Sequence, residues 1–176
     1  HYDSLLVLIS LLVAILASYT ALDMAGRINS THDKGATLWL VGGAIAMGIG
    51  IWSMHFIGML SFKLPIALGY DLSITVLSLL IAIVASGFAL WRISQAELPF
   101  MKLLSSAVLM GIAIAAMHYT GMAAMRMTPG IEYDPWLFAL SILIAISASG
   151  AALWIAFRLR RNTPNVGRLR AMAAIV

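Results

Sequence analysis

Cysteine is absent from the 176 residues, and charge is scarce: 11 basic and seven acidic side chains amount to 10% of the chain. Without cysteine there is neither a disulfide-stapled module nor a thiolate metal site. Soluble domains carry about 25% charged residues, so a chain with so few, and with 62% hydrophobic residues, is neither a soluble globular enzyme nor a disordered tail. A Gly-rich phosphate loop, a Ser/His/Asp arrangement and paired carboxylates within the apolar runs are also missing, which removes the usual sequence grounds for catalysis.

What the sequence does contain is uncharged length. Runs free of Asp, Glu, Lys and Arg cover 4–22, 35–62, 72–91, 103–125 and 135–157, with 19, 28, 20, 23 and 23 residues. A bilayer core about 30 Å thick needs roughly 20 apolar helical residues, so each run can span once. The expected fold is therefore all-α: a polytopic membrane helix bundle of five full transmembrane helices. The first run is too long for the apolar core of a signal peptide and reads as a true helix. Residues 171–176, Ala-Met-Ala-Ala-Ile-Val, read as the first turns of a sixth.

The connections between the runs fall near 23–34, 63–71, 92–102, 126–134 and 158–170. The first, third and fifth share one side and hold Arg27, Lys34, Arg92, Lys102, Arg158, Arg160, Arg161, Arg168 and Arg170. The other side holds Lys63 and Arg126 alone. By the positive-inside rule the nine basic residues are cytoplasmic and the N-terminus is periplasmic. The net charge of +4 then meets anionic lipid, and a nucleic-acid partner is not required.

The runs repeat. Tyr2-Asp3, Tyr70-Asp71 and Tyr133-Asp134 each precede a span with a Leu-Ser or Ile-Ser pair, and Ala17-Ser18, Ala85-Ser86 and Ala148-Ser149 follow at offsets of 68 and 63. Met54-His55-Phe56-Ile57-Gly58-Met59 matches Met117-His118-Tyr119-Thr120-Gly121-Met122, again 63 residues on, with Gly48 and Gly111 seven residues before each His. The chain thus reads as one domain, 1–176, of two-helix hairpins repeated at about 1–62, 69–125 and 132–176. Asp3, Asp71 and Asp134 are expected to cap helices through their carboxylates; the alternative is that they orient a His.

An ionisable group inside a span is costly unless it faces the bundle interior with a partner, and two such residues at equivalent repeat positions can converge. His55 and His118 are therefore the leading candidates. Met59 and Met122 lie four residues later on the same helical face, Met125 seven after His118, and Met54 and Met117 one residue before. Imidazole and thioether donors without Cys or a carboxylate favour copper, especially Cu(I), over Zn, Mg or Ca. Gly42, Ala46 and Gly50 on the second span, and Ala107, Gly111 and Ala115 on the fourth, are expected to let helices approach closely. Trp39, Trp52, Trp91, Trp136 and Trp154 read as interfacial anchors.

Met54-His55-Phe56-Ile57-Gly58-Met59-Leu60 and Met117-His118-Tyr119-Thr120-Gly121-Met122-Ala123 resemble the repeated motif of the MHYT domain, and the likeness extends to Tyr2-Asp3, Ala17 to Leu22 and Gly48 to Ser53. The resemblance implies a bacterial inner-membrane sensory module with three motifs on alternate helices. It also implies copper held by the matched His and Met residues, sensing of O2, CO or NO, and attached cytoplasmic GGDEF and EAL domains that make and degrade cyclic di-GMP. This sequence departs from the pattern in having Phe56 and Ile57 where the second motif has Tyr119 and Thr120, and in holding two motifs, a third falling about nine residues past Val176 if the period continues. Alternatives are a b-type haem protein with His55 and His118 as axial ligands, a transporter, and an oligomeric module without ligand.

Overall fold

The computed structural model describes residues 3–30, 34–61, 69–126, 130 and 132–159. Five helices follow in order: α1 (Ser4–Ser30), α2 (Lys34–Leu60), α3 (Leu72–Ile93), α4 (Phe100–Ala123) and α5 (Pro135–Leu159). All five are long and apolar enough to cross a membrane. The protein is a multi-pass membrane helix bundle, and the start of a sixth helix read at 171–176 lies outside the described residues. The only other regular structure among them is a two-residue antiparallel ladder, β1 (Gly69–Tyr70) on β2 (Met125–Arg126), pairing Gly69 with Arg126 and Tyr70 with Met125.

Each helix packs on the next in sequence, and α1 and α5 are the least buried. Large apolar side chains cover the outside, among them Leu38, Leu72, Val84 and Trp136, a surface suited to lipid rather than water. Inside, Ala25, Ile28, Met47, Leu90, Ile93 and Leu153 belong to one apolar cluster toward the basic end of the bundle.

The helices outlast the uncharged runs. α1 continues through Asp23 and Arg27 to Ser30, so the connection expected at 23–34 shrinks to 31–33, and Lys102 lies inside α4. Charge ends the stretch that fits in hydrocarbon, not the helix: Arg27 Nε donates to Asp23 Oδ2 at 2.7 Å one turn away. The guanidiniums of Arg27, Arg92 and Arg158 lie over the rings of Trp39, Trp91 and Trp154 at 4.9, 5.5 and 5.1 Å from the ring centroids. These Trp sit beside basic residues at span ends, as anchors do. Trp52 does not; it stacks on Phe56 at 4.5 Å with its indole nitrogen buried.

Contacts recur with the sequence repeat. All three Asp carboxylates cap a helix, Asp3 Oδ1 accepting from Leu5 N, Asp71 Oδ1 from Ser73 N and Asp134 Oδ1 from Trp136 N at 3.0, 3.0 and 2.8 Å. Asp3 N donates to Ser61 O at 2.7 Å, and Asp71 N donates to Ala124 O at 2.8 Å, tying the starts of α1 and α3 to the ends of α2 and α4.

The small residues that matter are only partly those expected. A Cβ on Gly48 would stand 2.6 Å from Ile83 Cα, and one on Gly111 would stand 2.6 Å from Ile146 Cα, so α2 meets α3 and α4 meets α5 backbone to backbone. Gly42 and Ala46 are instead exposed, with nothing among the described residues within 4 Å of a Cβ built on Gly42; Gly43, Ala44, Met47 and Gly48 form the packed face of α2. A four-residue spacing marks one face of a helix, but a neighbour decides which face is used.

Candidate metal centre

His55 stands in the last third of α2 and His118 in the last third of α4, one turn before each helix ends. The two odd helices fix their height. Ser10 Oγ on α1 donates to Met54 O at 2.9 Å, and Ser78 Oγ on α3 donates to Met117 O at 3.0 Å. Each serine therefore clamps the residue just before a histidine. Ser78 is fully buried, where a hydroxyl needs such a partner. The equivalent Ser141 on α5 instead bonds the Tyr119 hydroxyl at 2.7 Å.

The result is that His55 and His118 meet. Their Nδ1 atoms are 3.5 Å apart, and the rings lie edge to face, centroids 4.7 Å apart at 67°. His55 Nε2 is buried and has no hydrogen-bond partner among the described residues. The outer side is walled by aromatic rings: Phe56 against Tyr70 at 5.6 Å, and Tyr119 against Tyr133 and Phe138 at 5.3 and 4.7 Å.

The methionines divide. Met117 is buried, and its carbonyl and that of Met54 are occupied by the serine clamps. Met59 and Met122 are half-buried, one helical turn beyond their histidines. Met125 is not on the helical face expected for it. α4 ends at Ala123, and Met125 pairs with Tyr70 in the ladder, so a spacing of seven from His118 carries no helical meaning. Among the described residues no group of three or more His, Cys, Asp and Glu could hold a metal ion, so thioethers are the remaining side-chain donors in the motifs.

Just outside the span, Asp71 uses its second carboxylate oxygen for Arg126 rather than for a histidine. The Arg126 guanidinium, then the Ile74 N–H, hold the Asp71 carboxyl below the usual carboxylate range. Ser10 and Ser78 were visible in the sequence only as markers of the repeat. Their offset of 68 was the available signal for their role, since a polar residue recurring inside a span needs a recurring partner.

The model of the MHYT family, described as a bacterial signalling protein N-terminal repeat, matches residues 48–106 and 111–167, each match opening on one of the two close-contact glycines. The chain is 63% identical over 175 residues to the bifunctional diguanylate cyclase/cyclic di-GMP phosphodiesterase MucR of Pseudomonas aeruginosa, covering 99% of this chain and 26% of that protein. It is 49% identical over 154 residues to the cyclic di-GMP phosphodiesterase NbdA of the same organism, covering 86% of this chain and 19% of that one. It is 36% identical over 158 residues to the signalling protein YkoW of Bacillus subtilis, covering 90% and 20%. The chain thus spans a fifth to a quarter of the length of these relatives. No solved structure matches it. With the family model covering well over half of the chain, and with both of its histidine motifs inside or beginning within the matched repeats, the chain belongs to the MHYT family of bacterial signalling-protein repeats.

Proposed function

We propose that this chain is the sensor domain of a cyclic di-GMP signalling protein in a bacterial inner membrane, and that it holds copper between His55 and His118. The observation that carries the reading is the 3.5 Å approach of two Nδ1 atoms from separate repeats inside a lipid-facing bundle. Two imidazole nitrogens each about 2.0–2.1 Å from one metal ion at a tetrahedral angle would stand about 3.3–3.4 Å apart. The donor set therefore fits a single small ion. A haem would require the rings on opposite faces of a flat macrocycle, and rings meeting edge to face at 4.7 Å favour the ion instead.

Met59 and Met122, with Met54 and Met117 behind them, supply the soft donors that favour Cu(I). Met125 ranks last, being on the ladder. Bound Cu(I) would supply an electron-rich centre for O2, CO or NO, or for a change of redox state. The protein's part is to hold two imidazoles at fixed spacing and to exclude water with the aromatic wall. Catalysis is assigned to other domains of the parent protein: two relatives named for cyclic di-GMP turnover are matched over most or all of this chain but little of their own length. Signal would leave through the basic end of the bundle toward the cytoplasm.

The test is metal analysis of the purified native protein beside the double variant His55→Ala and His118→Ala. Stoichiometric copper is expected in the first and its loss in the second, with helical content kept, because backbone pairing within each span does not use the histidines. Copper retained by the double variant would remove the site. Met59→Leu with Met122→Leu is expected to weaken Cu(I) more than Cu(II), and equal losses would count against thioether ligation.

A further inference from the structure

Gly58 and Gly121 occupy the same place in the two motifs, three residues after each histidine, yet they face different surroundings. A Cβ on Gly121 would stand 3.2 Å from His55 Nε2, 3.5 Å from His55 Cδ2 and 3.4 Å from the buried Ser78 Oγ. Among the described residues, a Cβ on Gly58 would meet only Ser10 Oγ, at an ordinary 3.5 Å. The glycine of the second motif is thus the floor on which the histidine of the first motif lies.

Direction follows from the helices involved. Gly121 and His118, which both approach the His55 ring, are on α4, one turn apart on one face. A methyl added at Gly121 cannot move toward Ser78 Oγ, which is held by its bond to Met117 O. The ring must yield instead, by a few tenths of an ångström back toward α2, and moving away from Gly121 moves it away from His118. We propose that Gly121 is a positioning residue that sets the spacing of the histidine pair, a role its counterpart Gly58 does not share. The metal consequence rests on the copper reading above; the spacing itself does not.

Two measurements separate these. In metal-free protein with 15N-labelled histidine, solid-state NMR should show a nitrogen–nitrogen cross-peak between the two imidazoles in the native chain and in Gly58→Ala, and a weakened or missing one in Gly121→Ala. In copper titration, Gly121→Ala should lower affinity about 10- to 100-fold, as loss of a ligand-orienting group does. Gly58→Ala should stay close to the native value in both. Alanine is the better helix former, so both variants are expected to keep native helical content. Loss of the cross-peak in Gly121→Ala from a protein that binds no copper would support the spacing role and remove the metal reading. Equal behaviour of the two glycine variants, or a native chain without the cross-peak, would overturn the proposal.

Discussion

A single missing methyl group decides how closely two of these helices approach, and its effect has opposite sign at different glycines. At Gly48 and Gly111 a Cβ would press on the backbone of Ile83 and Ile146 at 2.6 Å, and backbone cannot rotate out of the way. Gly48→Ala and Gly111→Ala are expected to destabilise the bundle by about 1–3 kcal/mol each, the usual cost of overpacking. Gly42, with open space around it, should behave oppositely. Gly42→Ala is expected to stabilise α2 by about 0.5–1 kcal/mol through helix propensity alone. Unfolding of the detergent-solubilised variants gives the sign directly, and a neutral Gly48→Ala would show that α2 and α3 can part at no cost. The contrast also marks how far the sequence could be read. That small residues pack helices was legible; that Gly48 packs and Gly42 does not depends on which face α3 covers, and no local pattern carries that.

At the scale of the element, a helix start is a set of unpaired N–H groups, and here each odd helix answers it with an Asp. Asp71 adds a second bond by binding Arg126, which joins the beginning of α3 to the ladder after α4. The two roles can be separated, because Asn still caps but cannot pair with Arg as an anion. The folded-state pKa of Asp71 lies below its unfolded value, so its ionic contribution is complete above about pH 4 and is lost as pH falls through the folded pKa. Stability of native protein and Asp71→Asn should therefore differ at neutral pH and converge in acid. Unfolding midpoints followed downward from pH 7 check this, and a constant gap would mean that the ion pair adds nothing. The capping Asp residues were legible because a carboxylate just before an apolar run has little else to do. The ladder was not, since two-residue strands carry no periodicity. Nor was the continuation of α1 past Asp23, where water accepts the side chains and leaves the helix intact.

At the scale of the molecule, the repeats place both histidine motifs at one end of the bundle, and the remaining question is which side of the membrane that end faces. Hydrogen bonds from Asp3 to Ser61 and from Asp71 to Ala124 put the starts of α1 and α3 beside the ends of α2 and α4, at the end that carries Arg126. Arg27, Lys34, Arg92, Lys102 and Arg158 lie at the opposite end. Placing the end with more basic residues outside would oppose the insertion bias, so the histidine end is expected to face the periplasm. The chain has no cysteine, which gives labelling a clean background. Lys63→Cys and Gly130→Cys should react with a membrane-impermeant thiol reagent in intact spheroplasts, whereas Lys34→Cys and Lys102→Cys should react only after permeabilisation. This outcome would set His55 and His118 one helical turn from the periplasmic surface, where a soft metal or a dissolved gas arrives without entering the cytoplasm. The reverse pattern would place the pair in the inner half of the membrane, on the side of the proposed signalling domains, and a stimulus would then have to come from within the cell.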